Sequence, residues 1–335
     1  MQKHHKKKKS RLWILLLFAV ALGLGFFGLY RLEKSEDSKR TDHLTDAPVE
    51  RLTLEWNGNT YSYRSGLTSY LILGTDETTD SIFQYEDENL NNRQADFLML
   101  MVVDRNRESC VALHLNRDTY MDIRRLDENG NPDGTVLAHL NNAHSFGSGG
   151  KDSCRNVAEA VSRLLYGVPV VHYMAVTMDG IPVLADLVGG IPVTLKEDLT
   201  ELNPDYVRGK TVTLKGQDAL RFARTRMNVS DGTNLSRMSR QRDFMNSLYE
   251  RLNTKVRESS DFALRLADAL TPYLTSDMTT NELANLAEQL QEYRFEGIED
   301  LAGEAKKNRE TGYNDFLVDG NKLKEQLVRV FFTLR

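Results

Sequence analysis

Apolar and polar positions along this chain change texture several times, and each change predicts an element. Residues 12–30 (LWILLLFAVALGLGFFGLY) carry no charge, and at about 1.5 Å per residue such a run makes roughly 28 Å of helix, enough to cross a bilayer core. Leu32 to Glu50 then mixes charges of both signs without apolar periodicity, the pattern of a solvated stalk. In LTLEWNGNTYSYR, apolar and polar residues alternate about Asn57-Gly58, which predicts a tight hairpin.

Beyond Thr68 the runs lengthen. SYLILG, DFLMLMVVD, CVALHLN, HYMAVT and IPVTL read as strands, and RNVAEAVSRLLYG and DGIPVLADLVGG as helices between them. Strands this continuously apolar are buried on both faces, so helices must cover the sheet on either side. The predicted fold class is α/β, an α/β/α sandwich with a central mixed sheet, preceded by a single N-terminal transmembrane helix. After Lys215 the pattern is mainly helical: GQDALRFART, SRMSRQRDFMNSLYERL, SSDFALRLADALTPYL, a segment opened by the capping box Thr279-Thr280-Asn281-Glu282, and NKLKEQLVRVFF. The expected organisation is a basic cytoplasmic segment at 1–11, a signal anchor at 12–30, an extracellular linker at 31–50, a hairpin at 51–67 and one folded domain over 68–335.

Charge supports that topology. The first eleven residues hold six cations and no acid, so a formal charge of −5 for the whole chain becomes −11 for the remainder. Lysine and arginine are denser before the apolar run than after it, which orients the amino terminus inside and the rest outside. No small-x-small cleavage site is evident around Gly25 to Arg31, which favours an uncleaved anchor. Cys110 and Cys154 fit either one disulfide or two buried thiols.

Against the acidic body stands a basic focus. Arg221, Arg224, Arg226, Arg237, Arg240 and Arg242 fall within twenty-two residues that contain no lysine and one acid, Asp231. Guanidinium is planar and grips two oxygens at once, so this preference points to phosphate or carboxylate, with a solvated basic face as the plain alternative. Arg224 and Arg226 close one predicted helix; Arg237, Arg240 and Gln241 share a face of the next. Arg117 and Asp118 follow a strand directly, where ligands of α/β sheets collect or where a local ion pair forms. Asp76 closes LILGTD and Asp96 opens DFLML; such a pair suits magnesium beside substrate phosphates, although aspartates at strand ends are commonly turn or cap residues. FGSGGKDS fails the nucleotide-loop pattern, because Ser145 replaces the first glycine and Asp152 follows Lys151. It reads instead as a loop capping the next helix. His114, His139, His144 and His172 show no metal spacing.

Six collinear blocks between Tyr70 and Phe244 resemble the LytR-CpsA-Psr family of bacterial envelope proteins: LILGTD, ADFLMLMVVDRNRESCVALHLNRDTYMDI, LNNAHSFGSGG, ADLVGGIPVTL, LKGQDALRFARTR and LSRMSRQRDF. The resemblance implies a magnesium-dependent phosphotransferase outside the cytoplasmic membrane. It would move a teichoic acid or capsule-type glycopolymer from an undecaprenyl pyrophosphate carrier to peptidoglycan. Asp76 and Asp96 match the family's Mg2+-coordinating aspartates. Arg117, Arg224, Arg226, Arg237 and Gln241 match its pyrophosphate-holding residues, and Arg117, Arg224 and Arg226 are the catalytic candidates. Three positions depart from the pattern. Gln94 replaces a usual arginine, with Arg93 one residue further off as a substitute; Asn234 replaces a common acid; and Asn116 replaces a usual proline. The rival readings are an envelope module that binds lipid-linked polymer without transferring it and a transcriptional attenuator. A net charge of −11 and an external location argue against nucleic acid as a partner.

Overall fold

The computed structural model describes residues 52–76, 93–127, 129–225, 229, 231–259 and 262–279 and, with short gaps, 282–335. The expected transmembrane anchor, the stalk and Arg226 lie outside the described residues. Among those described, no helix is long and apolar enough to cross a membrane.

β1 (Thr53–Trp56) and β2 (Asn59–Tyr63) form the expected hairpin, with Trp56 opposite Asn59. Asn57 and Gly58 both take positive φ, 49° and 75°, the conformation a two-residue turn needs to match strand twist and the reason Asn-Gly serves there. β3 (Leu67–Thr75), β4 (Ala95–Asp104) and β5 (Ser109–Leu115) follow as an antiparallel meander. A projecting ribbon, β6 (Tyr120–Leu126) with β7 (Pro132–His139), leads to the short α1 (Asn142–Ser145) and to α2 (Lys151–Leu164). β8 (His172–Thr177) returns parallel to β3, and α3 (Gly180–Leu187), β9 (Ile191–Thr194), β10 (Thr211–Leu214) and α4 (Gly216–Arg224) extend the chain across the sheet. α5 (Asn234–Glu258) and α6 (Phe262–Leu270) complete that layer.

The stretch after Lys215 is less helical than its pattern suggests. It also contributes β11 (Leu274–Ser276), β12 (Arg294–Asp300), the pair β13 (Gly303–Lys307) and β14 (Asn314–Val318), and, after α7 (Gly320–Phe331), β15 (Phe332–Leu334). β11 and β12 are the two edges of the central sheet, whose order is β11-β8-β3-β4-β5-β12. Edge strands are often charged, as RFEGIED is, which hides the strand signature. β15 closes the molecule by pairing with β2. The capping box is present: Thr279 N–H donates to Glu282 Oε2 at 2.7 Å, and Glu282 N–H returns to Thr279 Oγ1 at 3.4 Å.

Because β4 is central, its alternate residues face two cores. Leu98, Leu100 and Val102 pack with Cys154, Val157 and Val161 of α2 and Leu327 and Phe331 of α7. Met99, Met101 and Val103 pack with Cys110, Leu283, Leu286 and Leu290 on the other face. Cys110 and Cys154 therefore stand on opposite faces and are free, and burial pushes each thiol up to about 12. A third core joins α3, α4, α5 and α6 through Leu184, Phe222, Phe244, Leu248 and Leu266. This mixed α/β sandwich agrees with the predicted class.

Leu100, with no exposed surface, tests the layering: Leu100→Ala should cost about 2–5 kcal/mol in denaturant unfolding, the range for an aliphatic truncation that leaves a cavity. A loss below about 0.5 kcal/mol, typical of a surface change, would contradict the covering of this face by α2 and α7.

Candidate functional site

One edge of the central sheet gathers most of the residues that the sequence singled out. β3 runs into Asp76, β5 runs into Asn116-Arg117-Asp118, and antiparallel β4 begins beside both with Asp96. Asp76 N–H donates to the Gln94 carbonyl at 3.1 Å, holding the two chain segments together. The helical layer delivers its arginines to the same edge. α4 ends as Thr225 turns to an extended conformation, leaving Arg224 in the last turn. α5 starts at Thr233, whose side chain caps Ser236 N–H at 3.1 Å, and Asp231 accepts from both Thr233 N–H and Oγ1. The one acid of the arginine stretch is thus a turn residue that sets where α5 begins.

Asp96 lies at the centre. Arg117 Nη1 pairs with Asp96 Oδ1, and Arg237 Nη1 stands 3.5 Å from Asp96 Oδ2. Side-chain exposure is 6% for Asp96 and 4% for Arg237, so this is a buried assembly in which each charge depends on its partners. Arg117 Nη2 also donates to Gln94 Oε1 at 3.0 Å, and its Nε to Asp118 Oδ1 at 3.2 Å. Of the two meanings left open for Arg117, these contacts show the local ion pair. Arg224 Nη2 lies 3.3 Å from Asp76 Oδ2 and is the most exposed of the three arginines, at 38%. Gln241 Nε2 donates to the Ala223 carbonyl at 3.2 Å, tying α5 to α4 beneath Arg224.

These contacts correct the magnesium expectation. Among the described residues no group of three or more His, Cys, Asp or Glu side chains is placed to hold a metal ion. Both oxygens of Asp96 instead face guanidinium groups, and Asp76 Oδ2 faces that of Arg224. The aspartates organise arginines.

Arg93 is set apart from this arrangement. Its guanidinium reaches the Gly149 carbonyl at 3.4 Å, while its own carbonyl accepts from His144 Nδ1 and Ser145 Oγ. Gln94, in the slot where an arginine was expected, serves as an acceptor for Arg117 and for Asn141 Nδ2 at 2.9 Å. FGSGG forms the loop before α2 and KDS begins the helix, where Ser148 N–H donates to Asp152 Oδ2 at 2.7 Å and Gly149 N–H to Ser153 Oγ at 2.8 Å. Burial holds the His144 imidazole below its usual range, which suits a structural residue between that loop and Cys154.

Several residues at the edge carried no sequence signal of their own. Asn141 joins it through Gln94 and through backbone bonds to Ala95 and Arg117. By contrast Arg240 belongs to the arginine stretch and is buried: it donates to the Thr225 carbonyl and to Glu197 Oε1 at 3.1 Å, fixing the end of α4 against α5. Desolvation lowers its pKa, partly offset by Glu197. Arg221 pairs with Asp218 and Arg242 with Asp300, both away from Asp96.

Directly behind the arginines an apolar cleft opens between the sheet and the helical layer. Its empty space, open solvent included, is about 620 Å³, and Ile72, Phe97, Val176, Ile181, Phe244 and Leu248 are among its walls. Thr177 and Gln241 supply polar atoms to the lining. A second cleft across α5 is lined by Lys196, Glu197, Ser236, Arg240 and Asp243, whose charges already pair with one another.

A basic edge beside an apolar cleft, carried on these six sequence blocks, accords with the LytR_cpsA_psr family, which matches residues 27–330. The chain belongs to that family. Among curated relatives of this LytR-CpsA-Psr protein, polyisoprenyl-teichoic acid–peptidoglycan teichoic acid transferase TagU of Bacillus cereus is 27% identical over 245 residues, covering 73% of this chain and 72% of that one. Among solved structures, the Lin1025 protein of Listeria innocua is 25% identical with a TM-score of 0.52, covering 79% of this chain and 98% of that one. TagT bound to LI-WTA shares the fold, with a TM-score of 0.56 at 19% identity and coverage of 79% and 90%.

Removing the central carboxylate should leave two guanidiniums buried without it. Asp96→Ala is expected to destabilise the domain by about 3–5 kcal/mol in chemical unfolding. Stability equal to that of the unsubstituted protein would show that Arg117 and Arg237 do not depend on Asp96.

Proposed function

We propose that this protein is a membrane-anchored, extracytoplasmic phosphotransferase that takes a glycopolymer from an undecaprenyl pyrophosphate carrier and joins it to peptidoglycan. The observation that carries this reading is that Gly74, Phe97 and Ala223 of the apolar cleft stand within two positions of Asp76, Asp96 and Arg224 at the arginine edge. One ligand satisfies both: an amphipath with a pyrophosphate head and an aliphatic tail. Arg117, Arg224 and Arg237 hold the phosphates, with Arg226 assigned to the same group by its place in the family motif. Gln241 sits at the junction of head and tail, and Arg93 at the outer rim. The similarity to TagU, named for a teichoic acid transfer to peptidoglycan, supports the reaction class.

In this reaction a hydroxyl of the peptidoglycan acceptor attacks the phosphorus that bears the glycopolymer. A new P–O bond forms, the bridging P–O bond of the pyrophosphate breaks, and polyprenyl monophosphate leaves as the acceptor hydroxyl loses its proton. Negative charge grows on the bridging oxygen. Guanidiniums already oriented by Asp96, Asp76 and Gln94 stabilise that charge without reorganising, which is where such donors act most strongly. Burial of the isoprenoid in the cleft supplies binding energy and positions the reacting phosphorus.

Arg224 separates chemistry from folding because its side chain is partly exposed. With the full chain in detergent, a lipid-linked donor and peptidoglycan as acceptor, Arg224→Ala should lower the transfer rate by about 10²–10³-fold, the cost of losing one preorganised donor. Arg221→Ala, whose arginine pairs with Asp218 on the surface, serves as the control and should leave the rate unchanged. Full activity of the Arg224 variant would overturn the assignment.

A further inference from the structure

Asn116 and Asn234, separated by 118 positions, meet where the end of β5 touches the start of α5: Asn234 Nδ2 donates to Asn116 Oδ1 at 2.6 Å. Both are nine-tenths buried or more, at 3% and 6% exposure. Neighbours that can only donate decide which way each amide points. Asn116 Oδ1 also accepts from the backbone N–H of Asp118 at 2.9 Å, so the oxygen faces that junction. Asn234 Oδ1 accepts from Arg237 Nη2 at 2.6 Å, and guanidinium has no acceptor atom. The NH2 of Asn234 must then face Asn116. An uninterrupted chain of donors and acceptors runs from the Asp118 backbone through both amides to Arg237, and from Arg237 on to Asp96.

We propose that the Asn116–Asn234 pair is a positioning device for Arg237, fixing the guanidinium toward the pyrophosphate through a directed hydrogen-bond chain that adds no negative charge. The inference rests on the reading of Arg237 as a phosphate ligand. A neutral amide takes one guanidinium hydrogen without adding a second carboxylate to the one Asp96 already supplies. Asn116 and Asn234 are also two of the three departures from the family pattern, and their contact makes them one feature. An acid at 234 would put a second acceptor against Asn116 Oδ1, which cannot turn away without abandoning the Asp118 N–H. In this chain, therefore, the amide at 234 and the acceptor at 116 require each other.

The direction of the chain yields a test that charge alone does not. Asn116→Asp and Asn234→Asp are isosteric and each adds one negative charge at pH 8. The first keeps an acceptor where one is needed; the second replaces a donor with an acceptor. With the full chain in detergent micelles and geranylgeranyl pyrophosphate as the probe, titration calorimetry should show Asn234→Asp weakening binding about tenfold, within the range of coupled contacts. Asn116→Asp should stay within about twofold of the unsubstituted protein. Asn116→Ala, which deletes the acceptor without adding charge, should weaken binding nearly as much as Asn234→Asp, and thermal melting in parallel confirms that each variant is folded at the temperature used. Equal weakening by the two aspartate variants, or no weakening by Asn234→Asp and Asn116→Ala, overturns the inference. Arg237→Ala separates the two levels: unchanged binding there refutes the reading of the site itself, whereas loss there with unaffected asparagine variants refutes only the positioning role.

Discussion

Everything at this site depends on one buried carboxylate. Asp96 opens the central strand of the sheet, and its two oxygens meet Arg117 from the end of β5 and Arg237 from the first turns of α5. Guanidinium groups resist dehydration, and two of them cannot be held close together in a largely buried edge without a counter-charge. Asp96 supplies it while fixing the helical layer to the sheet. The arrangement is self-consistent in the protein alone and yet basic enough around its rim, with Arg224 at the surface, to receive further anionic oxygens. Organising the donors beforehand is what a phosphoryl-transfer site requires, because their reorientation then costs nothing when charge develops.

The second constraint is the incomplete covering of the sheet. One face of β4 is sealed by α2 and α7; on the other, Leu283, Leu286 and Leu290 cover Met99, Met101 and Val103, while α3, α4 and α5 form a core of their own and leave an apolar cleft against Ile72, Phe97 and Val176. A cleft of this kind would normally collapse or be filled by side chains, since interiors pack densely. Here its lining includes Ala223 and Gln241, whose hydrogen bond joins α4 to α5 next to Arg224. The proposed carrier explains the juxtaposition through its own chemistry: the same molecule is anionic at one end and aliphatic at the other.

Much of this was legible in the residues. Asn57-Gly58 announced its turn because few other pairs tolerate two positive φ values in succession, and the unbroken apolar strands announced burial on both faces. The arginine stretch supplies Arg224 and Arg237, which the fold pairs with Asp76 and Asp96. What composition and spacing do not contain is pairing. The two aspartates suggested a metal because their charges were visible and their guanidinium partners, far away in the chain, were not. Asn116 and Asn234 looked like two unrelated departures for the same reason. β12 was missed because an edge strand with one partly solvated face alternates weakly, and its register opposite β5 brings residue 294 beside residue 109, a relation no local pattern encodes.

The central claim is that Asp96 holds Arg117 and Arg237 ready for a pyrophosphate whose lipid tail lies in the neighbouring cleft. A crystal structure of the protein with a polyprenyl pyrophosphate tests it most directly. Density for phosphate oxygens is expected within hydrogen-bonding distance of Arg117, Arg224 and Arg237, with the isoprenoid running between Phe97 and Phe244. Phosphates bound elsewhere, or an aliphatic tail that leaves this cleft empty, would contradict it.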